Sequence, residues 1–191
     1  MTKLPDYINP GATVLFVGIN PGLRSATVGH HFAGYSNRFW KLLSESKLVP
    51  LTLTYQDDWR LPQWGVGLTN IVSRPTSGSN DLTPKDYKIG RARLAAKIRK
   101  NRISIIALLG VTIYPVLFPR LPNRGHPTEQ KPAKTRIGLQ PQTFAGARVF
   151  VLPNPSGRNA HYSYVDMLSY FKKLTKFIRT GEDKSNKARF S

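Results

Sequence analysis

Four short apolar runs constrain this chain more than anything else in it: ATVLFVG at 12–18, VGLTNIV at 66–72, ISIIALLG at 103–110 and ARVFVLP at 147–153. They are rich in Val, Ile, Leu and Phe, none alternates cleanly with polar residues, and each stops at a turn signal. Alternation would mean a sheet with one wet face. Runs that are apolar throughout read as strands buried on both faces, as in a parallel sheet covered by helices. Helical patterns fill the intervals. In 36–48 the residues Phe39, Leu42 and Leu43 face one way. Residues 84–101 open with Thr83 as N-cap, Pro84 at the first helical position and Asp86 in the first turn. In 162–178, Met167, Leu168, Phe171, Leu174, Phe177 and Ile178 recur at helical spacing. Strands alternating with helices predict an α/β three-layer sandwich, with a short, mainly parallel central sheet between helices and right-handed crossovers. A length of 191 residues suits one domain, set at 1–180. Residues 119–146, rich in Pro, Gly and basic side chains, read as a long surface loop, and 181–191 as a polar, frayed tail.

Charge narrows the partner. Lys and Arg number 29 against 10 Asp and Glu, a net charge of +19. Such a surplus suits a polyanion, nucleic acid first and an anionic membrane surface second, although a generic basic surface also aids solubility. The chain has no cysteine, which excludes disulfides, thiolate catalysis and Cys-based metal clusters and fits an intracellular setting. The N-terminus lacks a basic-then-apolar signal pattern. The stretch ISIIALLGVTIYPVLF falls short of the ~20 residues that span a bilayer and is interrupted by Pro115. A soluble protein is expected.

Two strand ends carry unusual loops: INPG after the first run, and NPSGRNAHY after the last. Each pairs Asn with Pro and is followed by Gly. In an open parallel sheet, ligands bind outside the carboxyl ends of the strands, so both loops could serve one crevice. Each alone is equally a tight turn. The motifs of other nucleotide chemistries are missing. There is no Pro-Cys-x-x-Cys, no GxxxxGK[ST], and no i, i+4 pair among His30, His31, His126 and His161, which argues against a zinc deaminase, a P-loop NTPase and a helical zinc-hydrolase site.

The segment GINPGLRSATVGHHFAGYSNRFWKLL resembles the first motif of the mismatch-specific uracil-DNA glycosylase and thymine-DNA glycosylase family. VLPNPSGRNAHY resembles its second motif, and GLTNIVSRPTSGSNDLTPKDY the segment between them. The similarity runs from about Val14 to Lys173 in the family's order. It implies the uracil-DNA glycosylase-like fold and a monofunctional base-excision repair enzyme. Such an enzyme flips uracil, best opposite guanine, out of double-stranded DNA and hydrolyses its N-glycosidic bond without metal or cofactor. Activity on thymine would depend on the space around Arg24, Ser25 and His31.

The resemblance also carries roles. Asn20 matches the catalytic Asn. An amide takes no proton near neutral pH, but its carbonyl oxygen can hold a water under the sugar as oxocarbenium character builds. Thr69 matches a residue that helps hold that water. Phe32 offers a stacking face, His31 matches a base-contacting His, and Asn37 matches an Asn that bonds the flipped base or caps the next helix. Backbone N–H groups around Ile19, Gly22 and Phe32 could receive the base's oxygens. Ser156, Gly157, Arg158 and Asn159 fall where the family enters the duplex and contacts phosphate. Asp81 is a candidate general base, or else a turn residue. The expected setting is intracellular, cytoplasmic in a bacterium and nuclear in a eukaryote, with the protein a monomer. Two alternatives stay open: a catalytically silent nucleic-acid-binding protein of the same fold, and a hydrolase of free nucleosides.

Overall fold

The computed structural model describes residues 3–119 and 135–187, with 182–187 as backbone alone. Four of its strands are the four apolar runs: β1 (Val14–Gly18), β2 (Val66–Asn70), β3 (Ile105–Leu109) and β5 (Ala147–Leu152). A fifth, β4 (Gly138–Phe144), lies inside the stretch expected to be loop. The sheet order is β2-β1-β3-β5-β4, parallel throughout except that β4 runs antiparallel to β5. β4 is an edge strand, mostly solvent-facing and containing Pro141, so it carries neither the apolar run nor the clean alternation that marks a strand. Residues 120–134 of the expected loop lie outside the described residues.

Strand geometry sorts the side chains of β1. Val14 and Phe16 face one layer, Leu15 and Val17 the other. On the first face pack α2 (Phe39–Glu45) and α5 (Tyr164–Lys187), where Phe16, Phe39 and Phe171 meet ring to ring with centroids 5.2–6.3 Å apart. On the second pack α3 (Pro84–Asn101) and α4 (Tyr114–Leu117), through Leu94, Ile98 and Leu117. These are the three layers expected from sequence.

Local chemistry sets the helix ends. Thr83, the expected N-cap, and Asp86 form a capping box: Thr83 Oγ1 accepts from Asp86 N–H at 3.2 Å and Thr83 N–H donates to Asp86 Oδ2 at 2.9 Å. Ser163 and Asp166 repeat the arrangement at α5. The tail expected to fray from Gly181 instead continues α5 as helix to Lys187. GEDKSNK is polar, but it holds no proline and only one glycine, so nothing in it stops a helix. Residues 188–191 lie outside the described residues. A short α1 (Leu23–Val28) and a 3-10 helix at Tyr55–Trp64 complete the frame of the site. Among the described residues no helix is long and apolar enough to cross a membrane.

Candidate active site

The carboxyl ends of β1, β2 and β3 and the loop after β5 surround one cleft of about 670 Å³. That is ample for a nucleobase and part of its sugar. Ile19, Asn20, Gly22, His31, Phe32, Asn37, Ser156, Gly157, Arg158 and Asn159 all line it, although they come from three separate loops. Two expected residues do not line it. Thr69 is fully buried, with its hydroxyl between Asp6 Oδ1 at 2.5 Å and Lys97 Nζ at 3.0 Å. Successive strand residues point to opposite faces, so Thr69 turns away while its neighbour Asn70 turns in. Asp81 also lies outside it, in the turn role that was its alternative. Its Oδ2 accepts from Ser77 Oγ at 2.7 Å and Gly78 N–H at 3.2 Å, which holds the carboxyl below its ordinary range and ties it into a turn outside the cleft.

Asn20 sits just past β1 with its amide nitrogen held by three acceptors: Thr76 Oγ1 at 2.7 Å, the Pro21 carbonyl at 3.1 Å and the Arg74 carbonyl at 3.4 Å. The Thr76 hydroxyl spends its own proton on the Gly78 carbonyl at 2.6 Å, so toward Asn20 it can only accept. All three neighbours therefore demand the –NH₂ end of the amide. Oδ1 is left pointing elsewhere, with no hydrogen bond from the described residues. Thr76 also joins the two loops through its backbone, its N–H donating to the Pro21 carbonyl at 3.2 Å. Arg74 pins this turn from the other side, donating to the Asp81 carbonyl at 2.9 Å and Asp86 Oδ2 at 2.8 Å.

Phe32 lines the cleft with φ +54, the left-handed region that a bulky residue rarely enters. Its neighbours hold it there. His31 N–H donates to buried Asp58 at 2.8 Å, Trp40 Nε1–H to the His31 carbonyl at 3.1 Å, and Ala33 N–H to Ser25 Oγ at 3.0 Å. The Phe32 ring rests on Phe39, centroids 4.4 Å apart. Asn37 lines the cleft but uses Oδ1 to accept from Phe39 N–H at 2.9 Å, the helix-capping alternative. Its –NH₂ remains for the cleft.

His31 is buried, and burial pushes its imidazole below the ordinary histidine range. Its Nε2 lies 2.8 Å from the Pro5 carbonyl, which can only accept, so the proton sits on Nε2. Nδ1 then accepts from Asn70 Nδ2, 3.5 Å away. This orients the Asn70 amide and leaves Asn70 Oδ1 buried without a partner among the described residues. Gly18 makes the arrangement possible: a Cβ there would lie 2.4 Å from Asn70 Oδ1 and 3.2 Å from the Phe32 ring.

The last loop closes the other side. Asn154 Oδ1 accepts from Ser156 N–H at 3.0 Å, and Asn159 Nδ2 donates to the Asn154 carbonyl at 2.8 Å. Arg158 Nη1 reaches across to the Ser77 carbonyl at 2.9 Å. Among the described residues no cluster of His, Asp and Glu could hold a metal. Sequence reasoning missed Asn70 and Thr76. The signal was present: Asn70 is the last residue of β2, and Thr76 lies in the loop that follows it, at the strand end where a parallel sheet places its ligands.

A cleft at the strand ends, lined by side-chain amides, an aromatic face and a neutral imidazole, has a counterpart among known proteins. A family model, the uracil DNA glycosylase superfamily, matches residues 5–179, and the chain belongs to that superfamily. It is 38% identical over 164 residues, 84% of its length, to the G/U mismatch-specific uracil DNA glycosylase of Schizosaccharomyces pombe. The chain spans about half of that protein, 49% of its length. The fold is shared with a solution NMR structure of a candidate uracil DNA glycosylase from Methanosarcina acetivorans, with TM-score 0.60 and 15% identity over 93% of this chain and 97% of that one.

Proposed function

We propose that the chain is a monofunctional DNA glycosylase that extrudes uracil from double-stranded DNA, best opposite guanine, and hydrolyses its N-glycosidic bond to start base excision repair. The observation that carries this is the fixed orientation of Asn20. With its nitrogen claimed by Thr76, Pro21 and Arg74, Oδ1 is left as the acceptor of a side chain that lines the cleft. It can hold a water by one O–H and turn the oxygen lone pair toward the anomeric carbon. No carboxylate among the described residues stands beside Asn20, so the reaction runs late in water attack. The C1′–N1 bond breaks first, its electron pair leaving on the base; the water oxygen then bonds C1′ and the proton passes to solvent. Such a mechanism depends on positioning and on the leaving group.

The pocket also explains a choice of base. Uracil and thymine present an N–H at N3, whereas cytosine presents a lone pair. The unpartnered Asn70 Oδ1 supplies the acceptor that an imide N–H requires, and leaving it unpaired costs about 1–3 kcal/mol. Phe32 stacks the base, and backbone N–H groups near Ile19, Gly22 and Phe32 take charge on its oxygens. Gly157 and Arg158 enter the duplex, with Ser156 and Asn159 on the flanking backbone. We place the enzyme, as a monomer, wherever the cell keeps its DNA.

The test is cleavage of one labelled duplex carrying U, T or C opposite G, with alkali after each reaction. Cutting at U, less at T and none at C is expected. Equal cutting of C and U, or binding without cutting of any base, would overturn the assignment, the second in favour of a silent binding protein.

A further inference from the structure

One aromatic residue on the rim of the cleft has no part in the chemistry above. Tyr35 is 90% exposed, the most of any large hydrophobic side chain among the described residues. An aromatic ring offers 150–250 Å² for burial, so leaving nearly all of it in water is an energetic cost without a folded-state return. Nor does the ring hang free. The Arg24 guanidinium lies over it at 3.6 Å from the centroid, and Arg24 is itself fixed, its Nε donating to the Ala33 carbonyl at 2.7 Å. Arg24 lines the cleft, as do Gly34, Ser36 and Asn37 on either side of Tyr35. The segment is locked to the loop of Arg158. Arg38 N–H donates to the Pro155 carbonyl at 2.9 Å, and Gly157 fits so closely that a Cβ there would lie 2.3 Å from Ser36.

A rigid aromatic ring backed by a guanidinium, beside the loop that meets the duplex, matches the two chemistries of a nucleotide: a flat base and an anionic phosphate. Resting on the glycosylase assignment above, we propose that Tyr35 and Arg24 form a second nucleotide platform. Tyr35 stacks on a nucleobase of the lesion strand next to the extruded one, and the outward N–H groups of Arg24 take the intervening phosphate. The platform would hold open the step that extrusion unstacks, and its contribution is to DNA affinity rather than to bond cleavage.

The experiment uses the full chain and a G·U duplex, first as cleavable substrate and then with 2′-fluoro-deoxyuridine, which resists cleavage. Tyr35→Ala should weaken binding of the uncleavable duplex about 5- to 150-fold, the range for losing one base–aromatic stack. Tyr35→Phe should stay within about twofold of wild type. Arg24→Gln should lower the slope of log K against log salt by about one phosphate contact, which Tyr35→Ala should leave alone. The exposed position makes Tyr35→Ala neutral for folding, checked by its thermal midpoint. With 2-aminopurine on either side of the lesion, emission at one of the two positions should be dimmer with wild type and Tyr35→Phe than with Tyr35→Ala. A Tyr35→Ala affinity equal to wild type, or equal emission at both positions, would overturn the platform while leaving the glycosylase intact. Wild-type protein that fails to cut the cleavable duplex would overturn both.

Discussion

Replacing Thr76 by valine asks whether the orientation of Asn20, and not its mere presence, sets the rate. The swap keeps the volume of a side chain that is 6% exposed and removes one oxygen. That oxygen is the nearest acceptor of the Asn20 amide, at 2.7 Å, and its proton satisfies the Gly78 carbonyl at 2.6 Å. The remaining acceptors are the Pro21 carbonyl at 3.1 Å and the Arg74 carbonyl at 3.4 Å, the second at the limit of a hydrogen bond. Losing a short neutral hydrogen bond removes about 0.5–1.5 kcal/mol of net restraint, and the amide gains the freedom to turn. About 1–2 kcal/mol of transition-state positioning should be lost, a fall of about 5- to 30-fold in single-turnover rate on a G·U duplex. Affinity for the uncleavable duplex should hold within about twofold, because the Thr76 hydroxyl is already engaged with Asn20 Nδ2 and the Gly78 carbonyl. Thr76→Ser, which restores the oxygen, should return most of the rate. A valine variant that cuts at the wild-type rate would refute the idea that this bond aims Asn20. So would one that loses affinity and rate in equal measure.

Two further outcomes follow from the same geometry. Gly18→Ala would put a methyl 2.4 Å from Asn70 Oδ1 and 3.2 Å from the Phe32 ring, displacing both groups proposed to meet the base. It should cost about 1–3 kcal/mol of stability by denaturant titration and at least ~100-fold in single-turnover rate; a variant of native activity would show that neither group meets the base. His31 titrates below the ordinary 6.5 because of its burial, against the smaller opposing pull of the Pro5 carbonyl. The unfolded chain therefore binds this proton first as pH falls. The related stability is present above about pH 6.5, declines below it, and levels off once the folded His31 is protonated. Denaturant titrations between pH 7.5 and 5 should show that decline in wild type and a shallower one in His31→Gln, and identical slopes would remove His31 from the account.

The runs that made strands from sequence did so because burial on both faces leaves no room for polar residues. β4 was hidden for the complementary reason: at the sheet edge only Phe144 of its side chains is buried, so selection for apolar residues is absent. At the site, the first and last loops were legible because Asn–Pro–Gly and Asn–Pro–Ser–Gly punctuate buried strands so sharply. The loop after β2 was not. Thr69 and Thr76 are both threonines in one segment, and choosing between them needs the pleat of β2, which turns Thr69 toward Asp6 and Lys97 and leaves the cleft to Asn70. The partnership of Asn20 with Thr76 joins residues 56 apart in sequence, and no local pattern encodes it. The platform at Tyr35 was invisible for the same reason, since exposure is a property of the fold and not of the residue.

The proposed hydrolysis rests on an oriented amide, with no carboxylate beside it among the described residues. Its most direct test is the single-turnover rate on a labelled G·U duplex, measured for wild type and Asn20→Ala. Wild type should cut, and the variant should lose at least ~100-fold in rate while still binding the duplex. An Asn20→Ala protein that cuts as fast as wild type would contradict it.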